Sequence, residues 1–169
     1  MKHLFITIGF LMLSITVAAQ NENGDIIVEN DNMPAFRLSS SVYGNIDSED
    51  LKGKVILINI FTTWCRPCQV KLAEVEKSLY PKFKDNPDFI MLSVGREHTD
   101  EELAKYNKTK NFPFPLYPDP NRAFTGKFAT QSIPRSYLID KNGKVIMTTT
   151  GYTKAEHKQL IKSIEKSLK

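Results

Sequence analysis

Val55-Ile56-Leu57-Ile58-Asn59-Ile60-Phe61-Thr62-Thr63-Trp64-Cys65-Arg66-Pro67-Cys68 decides how the rest of the chain is read. From Val55 to Phe61 nearly every position is apolar, so a strand here is buried on both faces, as in the centre of a parallel sheet. Asn59 is the polar exception. After Cys65 the spacing changes: Leu72, Val75, Leu79 and Phe83 recur at intervals of three and four, the stripe of an amphipathic helix. Pro67 falls in the first turn of that helix, where a missing N–H costs little, and Pro81 kinks or ends it. A buried strand therefore hands over to a helix at the two cysteines.

Downstream, Phe89-Ile90-Met91-Leu92-Ser93-Val94 is a second strand-like run. Thr99-Asp100-Glu101-Glu102 is a capping box opening a helix to about Lys110. Phe114-Pro115-Leu116-Tyr117 fits a short edge strand, because prolines interrupt it, and Asp119-Pro120 starts a brief helix carrying Phe124 and Phe128. Ser136 to Asp140 and Lys144 to Thr149 are strands joined by the turn Lys141-Asn142-Gly143. Thr153-Lys154-Ala155-Glu156 then caps a last helix with its stripe at Leu160, Ile161, Ile164 and Leu168. Upstream, Phe36-Arg37-Leu38 and Val42-Tyr43 suggest extra N-terminal strands. The order is βαβ, a central insertion, then ββα, with no internal repeat. It predicts an α/β domain over 33–169, one mixed central sheet with helices on both faces.

The whole chain has 169 residues, 41% hydrophobic and 25% charged, ordinary for a globular protein. That excludes a disordered, collagenous or coiled-coil chain. The formal charge of +4 is scattered rather than gathered into a stripe, which argues against nucleic acid as a partner. Residues 1–19 depart from the average: Lys2 and His3 precede an uncharged apolar run from Leu4 to Val17, followed by Ala18 and Ala19. This is a secretory signal pattern with its cut after Ala19, the rival reading being an uncleaved membrane anchor. Residues 20–32 are polar and read as a flexible linker. The expected location is outside the cytoplasm, in the periplasm, with membrane attachment only if the leader is retained.

The chain has two cysteines, three residues apart, at the start of a helix. Unpaired N–H groups and a partial positive charge at such an end favour an anion. The thiolate is the reactive form of cysteine, and in this setting its pKa falls from about 8.5 to between 3.5 and 7.5. Cys65 is then the nucleophile, and Cys68, one turn further in, the resolving group. A structural staple is a poor rival, since closing a loop of about four residues removes only about 2 kcal/mol of unfolded-state entropy, against about 3 for fifteen. A closed zinc site needs four ligands, and His98 and His157 stand at no recognisable spacing from the pair. Haem attachment requires histidine where Gln69 stands. No metal and no cofactor is expected.

WCRPC after a buried strand, Ile133-Pro134 before a later strand and the βαβ…ββα order resemble the thioredoxin superfamily, and within it the exported TlpA/ResA-like thiol-disulfide oxidoreductases. The resemblance runs from about Met33 to the C-terminus and implies a thioredoxin-like fold. It implies that Pro134 is a cis-proline facing the cysteines, that the Ile133 backbone pairs with an extended substrate segment, and that Trp64, Arg66 and Pro67 belong to the substrate surface. Protein disulfides are the implied substrates, a membrane thiol-reducing protein the implied electron source, and cytochrome c maturation a known role of the family. A core position for Trp64 and an ordinary loop role for Pro134 are the plainer alternatives.

Two positions depart from the family. Asn59 stands where thioredoxins carry a buried acid; asparagine cannot take a proton, so its expected role is a buried hydrogen bond. Lys71 stands where glutamate is frequent, which puts a carboxylate relay in doubt. With Arg66 it adds positive charge near the sulfurs, or else belongs to a solvated basic face. Gly95-Arg96-Glu97-His98 ends a strand on the same sheet edge as the cysteines and either lines the groove or simply leads into the Thr99 cap. His157 is expected to be half-buried. Two other functions remain open: a peroxiredoxin-like peroxidase, against which Ile58 occupies the proline position of its Pro-x-x-x-Thr-x-x-Cys motif, and a redox-inert binding or metal-carrier module.

Overall fold

Arg37–Ser40 (β1) buries Leu38 and Ser40 while Arg37 and Ser39 face solvent, and it pairs antiparallel with Gly44–Asp47 (β2) as a separate hairpin. The computed structural model describes residues 24–169. The signal segment and the first residues of the expected linker lie outside the described residues.

Val55–Phe61 (β3) is buried at every position because it has neighbours on both sides. Phe89–Arg96 (β4) runs parallel to it, Val55 opposite Phe89, and Arg135–Ile139 (β6) runs antiparallel, Ile60 opposite Arg135. Leu116–Asp119 (β5) adds a parallel strand outside β4, and Val145–Thr150 (β7) an antiparallel one outside β6. The order is β5-β4-β3-β6-β7. The edge strand predicted around Leu116 is thus present, shifted two residues onward with Pro118 inside it.

The helix after the cysteines begins as Arg66–Glu74 (α1), widens into a π-helical turn over Val75–Leu79 and closes as Tyr80–Phe83 (α2). Pro81 has no N–H to donate and its ring crowds the preceding turn, so the helix passes it by opening one turn instead of stopping. Asp100–Lys110 (α3) starts with the expected capping box: Thr99 Oγ1 accepts the Glu102 N–H at 3.3 Å, and the Glu102 carboxylate accepts the Thr99 N–H at 2.9 Å. Lys154–Ser167 (α4) has the Thr153 cap on the Glu156 N–H at 3.2 Å, but there the Glu156 carboxylate accepts the Thr153 hydroxyl instead.

The two faces of the sheet are covered differently. Val55, Leu57 and Phe61 pack with Leu72 of α1, Leu103 of α3, and Leu160 and Ile164 of α4. Successive parallel strands joined by right-handed crossovers, β3 to β4 to β5, put α1 and α3 on one side. On the other, Ile56, Ile58 and Ile60 meet Leu38 of the hairpin, Leu51 and the rings of Phe124 and Phe128. Among the described residues the helical cover of that face consists of single 3-10 turns, Ser48–Leu51 and Thr125–Lys127. The buried Asp119 carboxylate holds the second one, accepting the Phe124 and Thr125 N–H groups at 3.0 and 2.8 Å.

Residues 24–32 depart from the linker their polarity suggests. Ile26 and Ile27 donate to the Phe128 carbonyl at 3.0 and 3.1 Å, Asn30 donates to the Val145 carbonyl at 2.8 Å, and the Asp25 carboxylate pairs with the buried Arg135 guanidinium. Polar side chains do not stop a segment from docking through its backbone.

Candidate active site

β3 delivers the chain to a tight turn, Thr62-Thr63-Trp64, and Cys65 is the N-cap of α1. Its Sγ accepts the Cys68 N–H at 3.2 Å, one of the donors a helix start leaves unpaired. Pro67 lies in the first turn, as expected. The two cysteines are joined as a disulfide with Cα atoms 5.2 Å apart, and their burial is unequal: Cys65 is half-buried, Cys68 has no exposed surface. Gln69, which the sequence did not single out as part of the site, donates from its side chain to the Thr63 carbonyl at 2.6 Å and ties the turn to the helix.

Trp64 is 64% exposed, so it is no core residue, and Arg66 and Pro67 are also exposed beside it. The Ile133–Pro134 peptide bond is cis. Since Ile60 opposes Arg135 across β3 and β6, that peptide lies at the same end of the sheet as the cysteine turn, and Ile133 and Cys65 pack against the same core cluster. The third element at this end is the loop after β4. There His98 is buried and accepts the Thr63 N–H on Nε2 at 3.0 Å. The Gly95–His98 stretch therefore does more than lead into a cap.

Beneath α1 a polar row crosses the sheet. Ser93, Asn59, Ser136 and Thr149 stand opposite one another on β4, β3, β6 and β7, all buried in an otherwise apolar layer. The Asn59 Oδ1 accepts the Ser136 hydroxyl at 2.6 Å, the buried hydrogen bond expected of it. At the far end Thr149 Oγ1 accepts from Lys71 Nζ at 3.1 Å. Lys71 is 4% exposed, so the solvated-face reading fails for it while it holds for Arg66. Burial pushes the Lys71 ammonium down to about 8, against the opposing pull of the Glu156 carboxylate. His157 is more buried than expected; its Nε2 meets the Ser78 hydroxyl at 2.8 Å. Burial lowers its pKa, opposed by Glu74 and reinforced by Lys71.

A dithiol whose outer sulfur caps a helix and whose inner sulfur is sealed is suited to exchanging disulfides with other thiols, and on this sheet it places the molecule among the thiol-disulfide oxidoreductases of the thioredoxin superfamily. Known proteins narrow the class. The chain belongs to the Redoxin family, whose model matches residues 28–166, and within the superfamily it is TlpA/ResA-like. It is 30% identical over 132 residues to the thiol-disulfide oxidoreductase ResA of Bacillus thuringiensis (strain Al Hakam), covering 78% of this chain and 75% of that one. To ResA of Bacillus subtilis (strain 168) it is 27% identical over 159 residues, covering 89% and 86%. A solution structure from Bacteroides thetaiotaomicron, provisionally assigned as a protein disulfide isomerase, superimposes with a TM-score of 0.82 at 28% identity, over 86% of this chain and 92% of that one.

Proposed function

We propose that this protein is exported and reduces or exchanges disulfides of other proteins, with Cys65 as nucleophile and Cys68 as resolving cysteine. The observation that carries the reading is the unequal exposure of the two sulfurs at one helix start. In the reductive direction the Cys65 thiolate attacks one client sulfur, a new S–S bond forms, the client disulfide breaks, and the departing client thiolate takes up a proton. Cys68 then loses its proton and attacks Cys65 Sγ, which releases the second client thiol and leaves the Cys65–Cys68 disulfide. Two electrons pass to the client, and a thiol donor restores them; a membrane thiol-reducing protein fits that need. No cofactor enters.

Trp64, Arg66, Pro67, Ile133 and Pro134 form the client surface in this reading, with the Ile133 backbone pairing to an extended segment. Residues 1–19 direct the chain to the periplasm, and cytochrome c maturation is the process the family resemblance brings with it. Insulin reduction driven by dithiothreitol tests the chemistry: the wild type accelerates it and Cys65→Ser does not. Cys68→Ser holds clients as mixed disulfides on Cys65, and their identity gives substrate class and direction. Equal trapping by Cys65→Ser, or peroxide consumption without disulfide reduction, overturns the proposal. Alkylation rates of Cys68→Ser against pH give the Cys65 ionisation, expected below the free-cysteine value of about 8.5.

A further inference from the structure

His98 is 2% exposed and lies in the loop between β4 and α3, yet it meets the cysteine turn twice. Its Nε2 accepts the Thr63 N–H at 3.0 Å, and its ring centroid is 4.6 Å from that of Trp64, the planes inclined by 56°. Its Nδ1 lies 3.4 Å from Glu102 Oε2, the carboxylate that also accepts the Thr99 N–H in the capping box. A backbone N–H can only donate, so the nitrogen facing Thr63 carries no proton and the neutral ring has its own N–H on the Glu102 side. Imidazole, Thr63 and Trp64 thus form one connected chain ending next to Cys65, with the Glu102 carboxylate near the ring's other nitrogen.

We propose that His98 is the positioning residue of the exchange reaction: neutral, it fixes Thr63 and packs on the Trp64 ring so that the turn offers clients a set apolar platform beside Cys65, and protonation breaks the Thr63 bond that sets the turn and places a charge against the Trp64 ring. This rests on the reading of Cys65 and Cys68 as the exchanging pair. A protonated Nε2 would point a hydrogen at the Thr63 N–H, and two donors facing each other lose the bond. The charged groups facing the ring are Glu102 from α3 and Glu97 from its own loop, and Glu97 is itself 3.7 Å from Arg96 and 3.9 Å from Arg122. Burial lowers the His98 pKa, and the two carboxylates oppose the shift without reversing it. The contact is therefore complete at neutral pH and is released as pH falls below the ordinary histidine value of about 6.5.

The chain has a single tryptophan, so the fluorescence of the oxidised protein, whose cysteines do not titrate, reports on Trp64 alone. Between about pH 8 and 5 the wild type shows one emission change with its midpoint below about 6.5. His98→Gln, which keeps an acceptor but cannot titrate there, lacks that change, and His157→Gln keeps it. In client reduction at neutral pH, His98→Ala raises KM about fivefold, the loss of one hydrogen bond, with kcat less affected. His98→Gln recovers part of that KM loss and removes the fall in kcat/KM on the acid side. Persistence of the emission change in His98→Gln, or a wild-type KM in a folded His98→Ala, overturns the inference. If the wild type itself reduces no disulfide, the exchange reading fails, while the fluorescence arm still decides whether His98 holds Trp64.

Discussion

Lys71 brings an ammonium into the core one helical turn beyond Cys68, where its hydrogen bond goes to Thr149, 78 residues away in sequence. Its depressed pKa means that the unfolded chain binds more protons than the folded one between about pH 8 and 10.5, so stability rises with pH across that window and the charge is a burden below it. Lys71→Met keeps the apolar stem and removes the charge. It is expected to raise the unfolding free energy at pH 7 by about 1–3 kcal/mol and to flatten the rise above pH 8, both read from urea titrations at several pH values. The same change removes a cation from the helix that Cys65 caps and is expected to move the reduction potential to more negative values, about 30 mV for each 1.4 kcal/mol of thiolate stabilisation lost, measurable by equilibration with glutathione. At this scale the two cysteines were legible because their reactivity is local: spacing plus the end of a buried strand suffices. The burial of Lys71 and the contacts of His98 were not, since their partners come from β7 and from the cysteine turn, and no local pattern announces a partner that only folding supplies.

Elements were legible where periodicity and capping agreed. The strand from Val55, the α3 start at Thr99 and the closing helix all follow from apolar spacing and a Ser/Thr cap, and the structure has them at those residues. Less legible were the π-helical turn before Pro81 and the single 3-10 turn between Phe124 and Phe128, because both are set by what the segment packs against. The capping box also holds the Glu102 carboxylate in place 3.4 Å from His98 Nδ1. Thr99→Ala leaves the Glu102 N–H without its cap and is expected to cost about 1 kcal/mol, seen as a lower urea midpoint at unchanged m.

Across the whole molecule, the order βαβ, insertion, ββα fixed the sheet, but not what would cover its second face, because the segments that do so carry no strong helical pattern. Residues 24–33 are the clearest instance: they clasp the sheet through backbone bonds and through Asp25, whose carboxylate meets Arg135 immediately after the cis-proline. Asp25→Ala removes a charged hydrogen bond and is expected to lower stability by about 2 kcal/mol, checked by thermal and urea unfolding. The same segment has an effect at the margins of the sheet. Asn30 and Asp31 exchange backbone bonds with Val145 at the start of β7, and on the opposite margin Pro118 deprives β5 of a donor. Exposed strand borders are where chains stick to one another. With Asn30 and Asp31 docked on the start of β7 and Pro118 inside β5, each border of the sheet offers fewer free backbone groups to a second copy of the same sheet.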